Sequence, residues 1–216
     1  MERIQIDFGK SCGLVPVVVQ KANHRRSGKV LILDNELHPE TTANRIPKVA
    51  AAMGIELEEY AENLLVENLR GRDMDIIKLE AYLSQFEPGE FIAIVLDAGY
   101  RILPEGWEEN RNPHMTRFYN AIDRYAARLQ CAFIVISHSS KGSQADKSVT
   151  DIGSGAGSQS RTTDTHVALR QHQEPDAVVL DMMARSWPPL EKPIVLRWDW
   201  PVWFVDHQLD PDDLHR

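Results

Sequence analysis

At 216 residues the chain is long enough for one domain with a full hydrophobic core, and its 43% hydrophobic content is that of an ordinary globular protein. A formal net charge of −8 excludes a surface that grips nucleic acid all over, while leaving room for a local basic loop. Two cysteines outside any CxxC spacing, no apolar run of about 18 residues and no signal-peptide pattern set the remaining expectations: a reducing cytoplasm and no membrane partner.

In chain order, the first strong signal is VLILDNE, an apolar run from Val30 that ends in Asp34 and Glu36. Short continuous runs of Val, Ile and Leu read as strands buried on both faces, the habit of parallel sheets covered by helices. From Glu40 to Met53 a helical stripe is formed by Ile46, Val49, Ala50 and Met53, with Pro47 predicted to kink the helix or delay its start. A shorter strand is predicted around Leu64 to Val66. Asp73 is then predicted to cap a helix with the stripe Ile76, Leu79, Leu83 and Phe86. The break at Pro88–Glu90 precedes a second apolar run, Phe91 to Asp97. A polar loop follows, and a helix after Pro113 carries Phe118, Ile122, Tyr125 and Leu129. The third run, Cys131 to His138, ends in Ser137 and His138, and Cys131 reads as a small core residue.

This alternation calls for a parallel sheet with right-handed crossovers. Ligands of such sheets bind beyond the carboxyl ends of the strands, so acid, acid and His at three strand ends suggest one site assembled from distant residues. The competing explanation is that strands often end in Asp or Ser because turns begin there.

The chain changes character at Ser139. From there to Thr165 it is rich in Gly, Ser, Thr, Gln and Asp, a composition that predicts an exposed functional or disordered loop. Beyond it, residues 166–170, 177–184, 194–198 and 201–205 read as short strands forming an antiparallel extension of the sheet. The acidic tail after Asp206 is expected to fray.

Taken together, these segments resemble the RecA-like ATPase core, in the branch of the DnaB-type and plasmid RepA-type hexameric helicases and their phage and bacterial relatives. VLILDNELHPETTANR resembles the second core strand, which places Glu36 where a carboxylate polarises the attacking water. IAIVLD resembles a Walker B strand, with Asp97 holding magnesium through water. IVISHSSKG resembles the strand with a γ-phosphate sensor, which implies that role for His138. GSGAGSQSRTTDTHVALR resembles the segment after the mobile loop. LDMMARSWPP resembles the strand that presents a basic finger to a neighbouring subunit, with Arg185 as the arginine. The implied fold class is α/β, a RecA-like mainly parallel sheet flanked by helices with C-terminal antiparallel strands. The implied domains are an incomplete or degenerate phosphate-loop region over 1–29, an ATPase core over 30–206 and a tail over 207–216. Implied too are the cofactors ATP and Mg, a homo-oligomeric ring or filament, and a helicase-like place in DNA replication.

The chemistry supports these roles. Hydrolysis of a phosphoanhydride needs a metal, an oriented water and cations on the transferring group. Lys141, Lys147 and Arg161 lie in the Gly/Ser-rich loop, which suits either tracking of single-stranded DNA or simple solvation. Arg185 also reads as a surface arginine beside Trp187, and Glu36 as an acid at a helix start. Asp34, Glu36, His38 and Asp97 offer an alternative, a metal-dependent hydrolase.

The N-terminus departs from the pattern. A phosphate loop reads GxxxxGK[ST]. Here Gly9, Lys10 and Ser11 supply its last three residues, for cradling phosphate and, through Ser11, for ligating the metal. Ile4 stands where the first glycine belongs, and Pro16 followed by a β-branched run is a poor helix opening. Residues 1–27 are therefore expected not to form a normal loop and helix, either because the cradle is degenerate or because a preceding portion supplies it. Weak or absent ATP binding follows as an expectation, and a non-catalytic RecA-like binding module is the rival from another class.

Overall fold

The computed structural model describes residues 3–4, 19–20, 28–139, 143–152, 161–188 and 190–215. Gly9, Lys10, Ser11 and Lys141 lie outside them. Two short strands come first, β1 (Arg3–Ile4) and β2 (Val19–Gln20), paired antiparallel. The described chain then runs through β3 (Lys29–Asp34), α1 (Pro39–Ala52), α2 (Leu57–Tyr60), β4 (Leu64–Asn68), α3 (Leu79–Leu83) and β5 (Phe91–Asp97). A 3-10 turn (Gly99–Ile102), α4 (Asn112–Leu129) and β6 (Ala132–Val135) follow. After a second 3-10 turn (Val149–Asp151) come β7 (Thr165–Gln171), β8 (Ala177–Ala184), β9 (Ile194–Asp199) and β10 (Val202–Val205). The chain divides into two compact units, residues 1–106 with 120–137, and residues 107–119 with 138–216.

In the first unit the sheet order is β4-β3-β5-β6, and every neighbouring pair is parallel. The three apolar runs are thus adjacent strands, as the sequence predicts. Consecutive residues Leu31, Ile32 and Leu33 are all buried, as are Ile94, Val95 and Leu96, because both faces of the central strands are covered. The chain enters β3 through Gly28, where a Cβ would meet Ile92 Cγ2 at 2.5 Å, so only a residue without a side chain lets these strands lie so close.

Helix α1 opens with Pro39 in its first turn and contains Pro47 in its interior. Pro47 therefore does not delay the helix start. The ring removes one donor at a local cost of about 3 kcal/mol, and burial of Thr42 and Ala50 on either side of it holds the helix regardless. The helix ends in a Schellman motif: Gly54, at φ 66°, donates to Ala51 O at 3.0 Å, and Ile55 donates to Ala50 O at 2.9 Å.

The predicted cap Asp73 is not the cap. Asp75 Oδ1 accepts the N–H groups of Ile77 and Lys78 at 2.8 and 2.9 Å, while Asp73 pairs with the Lys78 ammonium at 2.7 Å. Helix α3 is correspondingly short, but Ile76, Leu79 and Leu83 of the predicted stripe are fully buried. From α4, the Tyr125 hydroxyl donates to Ile76 O at 2.7 Å. The third strand is shorter than its apolar run, with Cys131 in a bend before it and Ile136 to His138 after it.

In the second unit β10-β9-β8-β7 form a purely antiparallel sheet. Among the described residues this is a separate sheet rather than an extension of the parallel one. The polar segment after Ser139 is less exposed than its composition suggests, since Val149 and Ile152 are buried in a cluster with Ala168. The tail does not fray. Leu209 and Leu214 pack on Ala177, Val179 and Val195, and Leu214 bridges to His172.

Candidate functional site

The turn after β3 is held from three sides. Asp34 is fully buried, and its Oδ1 accepts the backbone N–H groups of Glu36 and Leu37 at 3.0 and 2.9 Å. This is the turn that aspartate favours, because its short carboxylate reaches the backbone two and three residues on. The other oxygen, Oδ2, accepts the Thr42 hydroxyl at 2.5 Å. From the β4 side, Leu69 N–H donates to Asp34 O at 2.7 Å, Asn68 Nδ2 donates to Leu37 O at 2.9 Å, and the Arg70 guanidinium donates to Glu36 O. From the β5 side, Asn35 N–H donates to Asp97 O at 2.5 Å. Asp97 itself is buried at the end of β5, in register with Asp34 on β3.

The Glu36 side chain is only 6% exposed and accepts Arg101 Nε–H at 2.9 Å. Arg101 sits on the 3-10 turn that immediately follows Asp97. Its Nε also lies 3.0 Å from the Tyr100 hydroxyl oxygen. The hydrogen bond from Arg101 to Glu36 is the main reason the guanidinium is held even further above its ordinary range. Burial, and then the Glu36 carboxylate, push the Tyr100 phenol up. Sequence reasoning picks out Glu36 and Asp97 but not Arg101, Tyr100, Asn68, Arg70 or Thr42. An arginine 65 positions away in a polar loop carries no local signature of its partner.

The remaining predicted residues belong to the second unit. His138 is exposed. Lys147 O accepts Arg170 Nη2 at 2.8 Å, and Arg161 O accepts the Arg185 guanidinium. Arg185 is exposed, 3.9 Å from the Asp164 carboxylate, and two residues before Trp187, which is 76% exposed. The alternative metal site fails: among the described residues no group of three or more His, Cys, Asp and Glu is arranged to hold a metal. Asp34, Glu36, His38 and Asp97 do not form one because Asp34 is committed to the turn and Glu36 to Arg101. Magnesium in a nucleotide site asks less of the protein, one or two carboxylates beside the substrate's phosphates. Buried Asp97 at a carboxyl strand end fits that demand.

A parallel sheet with acids at the carboxyl ends of adjacent strands defines the class, a nucleotide-handling α/β domain. Residues 9–144, more than half of the chain, match the family model described as AAA domain, and the chain belongs to that family. The match opens on Gly9–Lys10–Ser11. The fold is that of RecA-like P-loop ATPase domains. The ATPase domain of a DnaB-like helicase superposes with a TM-score of 0.59 at 13% identity, over 79% of this chain and 71% of that one. The RadB recombinase superposes with a TM-score of 0.55 at 15% identity, over 87% of this chain and 78% of that one. No curated protein sequence matches the chain. No helix among the described residues is long and apolar enough to cross a membrane.

Proposed function

We propose that this RecA-like ATPase domain hydrolyses ATP with magnesium and couples turnover to the handling of nucleic acid or a protein partner. The observation that carries this reading is the pair of buried acids, Glu36 and Asp97, at the carboxyl ends of adjacent parallel strands. Magnesium, when bound, neutralises charge on the β- and γ-phosphates. In this reading Asp97 holds it through water, and Ser11 ligates it directly. Lys10 and Gly9 contact the phosphates, Glu36 orients the attacking water, and His138 senses the terminal phosphate. Arg185 reaches a neighbouring copy's nucleotide in a ring or filament, a role suited to an exposed arginine anchored at a hairpin end. Lys147, Arg161 and Lys141 contact single-stranded DNA, and the protein works in the cytoplasm. The names of the two structural neighbours, a helicase ATPase domain and a recombinase, agree with nucleic acid as the partner.

The second reading, a non-catalytic module, is favoured by one observation. Val19–Gln20 is a strand paired with Arg3–Ile4, in the segment where the helix after a phosphate loop would run. Calorimetric titration with Mg·ATP separates the two. Hydrolysis requires saturable binding, weak because Ile4 replaces the first glycine, that disappears with Lys10→Ala and on chelating magnesium. No saturable binding in the unaltered chain would leave the non-catalytic module.

A further inference from the structure

The Glu36–Arg101 pair is lopsided. The carboxylate is 6% exposed, whereas the guanidinium is 40% exposed, so an arriving ligand meets the cation first. A guanidinium has five N–H donors, and here only Nε is engaged, with Glu36 Oε1 and the Tyr100 oxygen. Among the described residues the two terminal nitrogens of Arg101 have no partner. Those nitrogens form the planar fork that recognises phosphate in bidentate fashion, and such charge-assisted bonds are about twice as strong as neutral ones. The location matters equally. Asp34, Glu36 and Asp97 gather three buried acids at one sheet edge, and a bare phosphate approaching them is repelled unless a cation answers it.

We propose that Arg101 is a phosphate-binding residue that exchanges partners, resting on Glu36 and leaving it for a phosphate oxyanion at the carboxyl ends of β3 and β5. The consequence for Glu36 rests on the ATPase reading. While Arg101 occupies the carboxylate, its lone pairs are engaged by a cation. Once Arg101 turns to phosphate, the carboxylate accepts a hydrogen bond from water instead. Arg101 acts through Glu36 and so is a positioning residue for the water. No bond is made or broken in the exchange, and the phosphate comes either from a nucleotide or from a nucleic-acid backbone.

The test is side-chain nitrogen NMR of the isotopically labelled full chain, with the Arg101 Nε–H signal assigned by its loss in Arg101→Lys. In the ligand-free protein this hydrogen exchanges slowly, and Glu36→Gln speeds its exchange. Three probes are then added separately: magnesium with a non-hydrolysable ATP analogue, magnesium tripolyphosphate, and a single-stranded oligonucleotide. A shift of the signal with either triphosphate supports exchange onto a nucleotide. A shift with the oligonucleotide alone supports exchange onto nucleic acid. In parallel calorimetry, the affinity for the effective probe falls about tenfold in Arg101→Ala and about threefold in Arg101→Lys, which keeps the charge but not the fork. A signal unmoved by all three probes overturns the proposal. If calorimetry nevertheless detects ATP-analogue binding, the ATPase reading survives that failure. A shift with the oligonucleotide but no nucleotide binding at all would sink the ATPase reading and keep the exchange.

Discussion

Thr42 in α1 donates its hydroxyl to Asp34 at the end of β3 over 2.5 Å, and the two residues are 3% and 0% exposed. This bond ties the first turn of a helix to the carboxylate that shapes the Glu36 turn. Replacing Thr42 by Val keeps the volume but leaves a buried carboxylate oxygen short of a donor, a change that costs about 1–3 kcal/mol. Denaturant unfolding of Thr42→Val is expected to show that loss with an unchanged m-value. A loss below about 0.5 kcal/mol would mean that the bond does not anchor the turn.

The C-terminal tail depends on one buried side chain. His172, 2% exposed, bonds Asp210 O at 2.9 Å through Nε2 and receives Glu174 N–H at 2.9 Å on Nδ1. A carbonyl can only accept and an N–H can only donate, so the ring carries its proton on Nε2. His172→Phe removes both bonds while filling similar space. The His215 amide, which donates to Gln171 O, is expected to lose hydrogen-exchange protection by about tenfold, the equivalent of about 1.4 kcal/mol. Unchanged protection would show that Leu209 and Leu214 suffice to dock the tail.

Asp206, just past β10, pairs with Arg197 on β9 at 2.8 Å and accepts Gln208 N–H at 2.9 Å. The Arg197 hydrogen bond is the chief reason its carboxyl lies below the ordinary 3.8. A carboxyl depressed in the folded state stabilises fully above that ordinary value, and the contribution disappears as pH falls through the folded one. Asp206→Asn is therefore expected to unfold more readily than the unaltered chain at neutral pH, with the difference shrinking below about pH 3. A difference that grew on acidification would contradict the assignment.

The strands were legible because their apolar runs are continuous, and a continuous run survives whatever its neighbours do. Val30 to Leu33, Ile92 to Leu96 and Phe133 to Val135 are adjacent parallel strands for that reason. Glu36 and Asp97 were legible as strand-end acids. What surrounds them was not. Arg101, Arg70 and Asn68 act through backbone carbonyls and carboxylates far away in sequence, and a polar loop does not announce which acid it will meet. Local rules failed where tertiary contacts outvoted them. Pro47 rides inside α1, Asp75 rather than Asp73 serves the turn before α3, and an acidic tail docks because Leu209 and Leu214 find an apolar cluster.

The central claim is that Glu36 and Asp97 form the working edge of a magnesium-dependent ATPase. Phosphate release at saturating Mg·ATP, compared among the unaltered chain, Glu36→Gln and Asp97→Asn, tests it most directly. The account predicts release by the unaltered chain and a fall of about a hundredfold or more in Glu36→Gln, with ATP affinity retained. Asp97→Asn should lose release together with its magnesium dependence. No release above background by the unaltered chain, or equal release by Glu36→Gln, would contradict it.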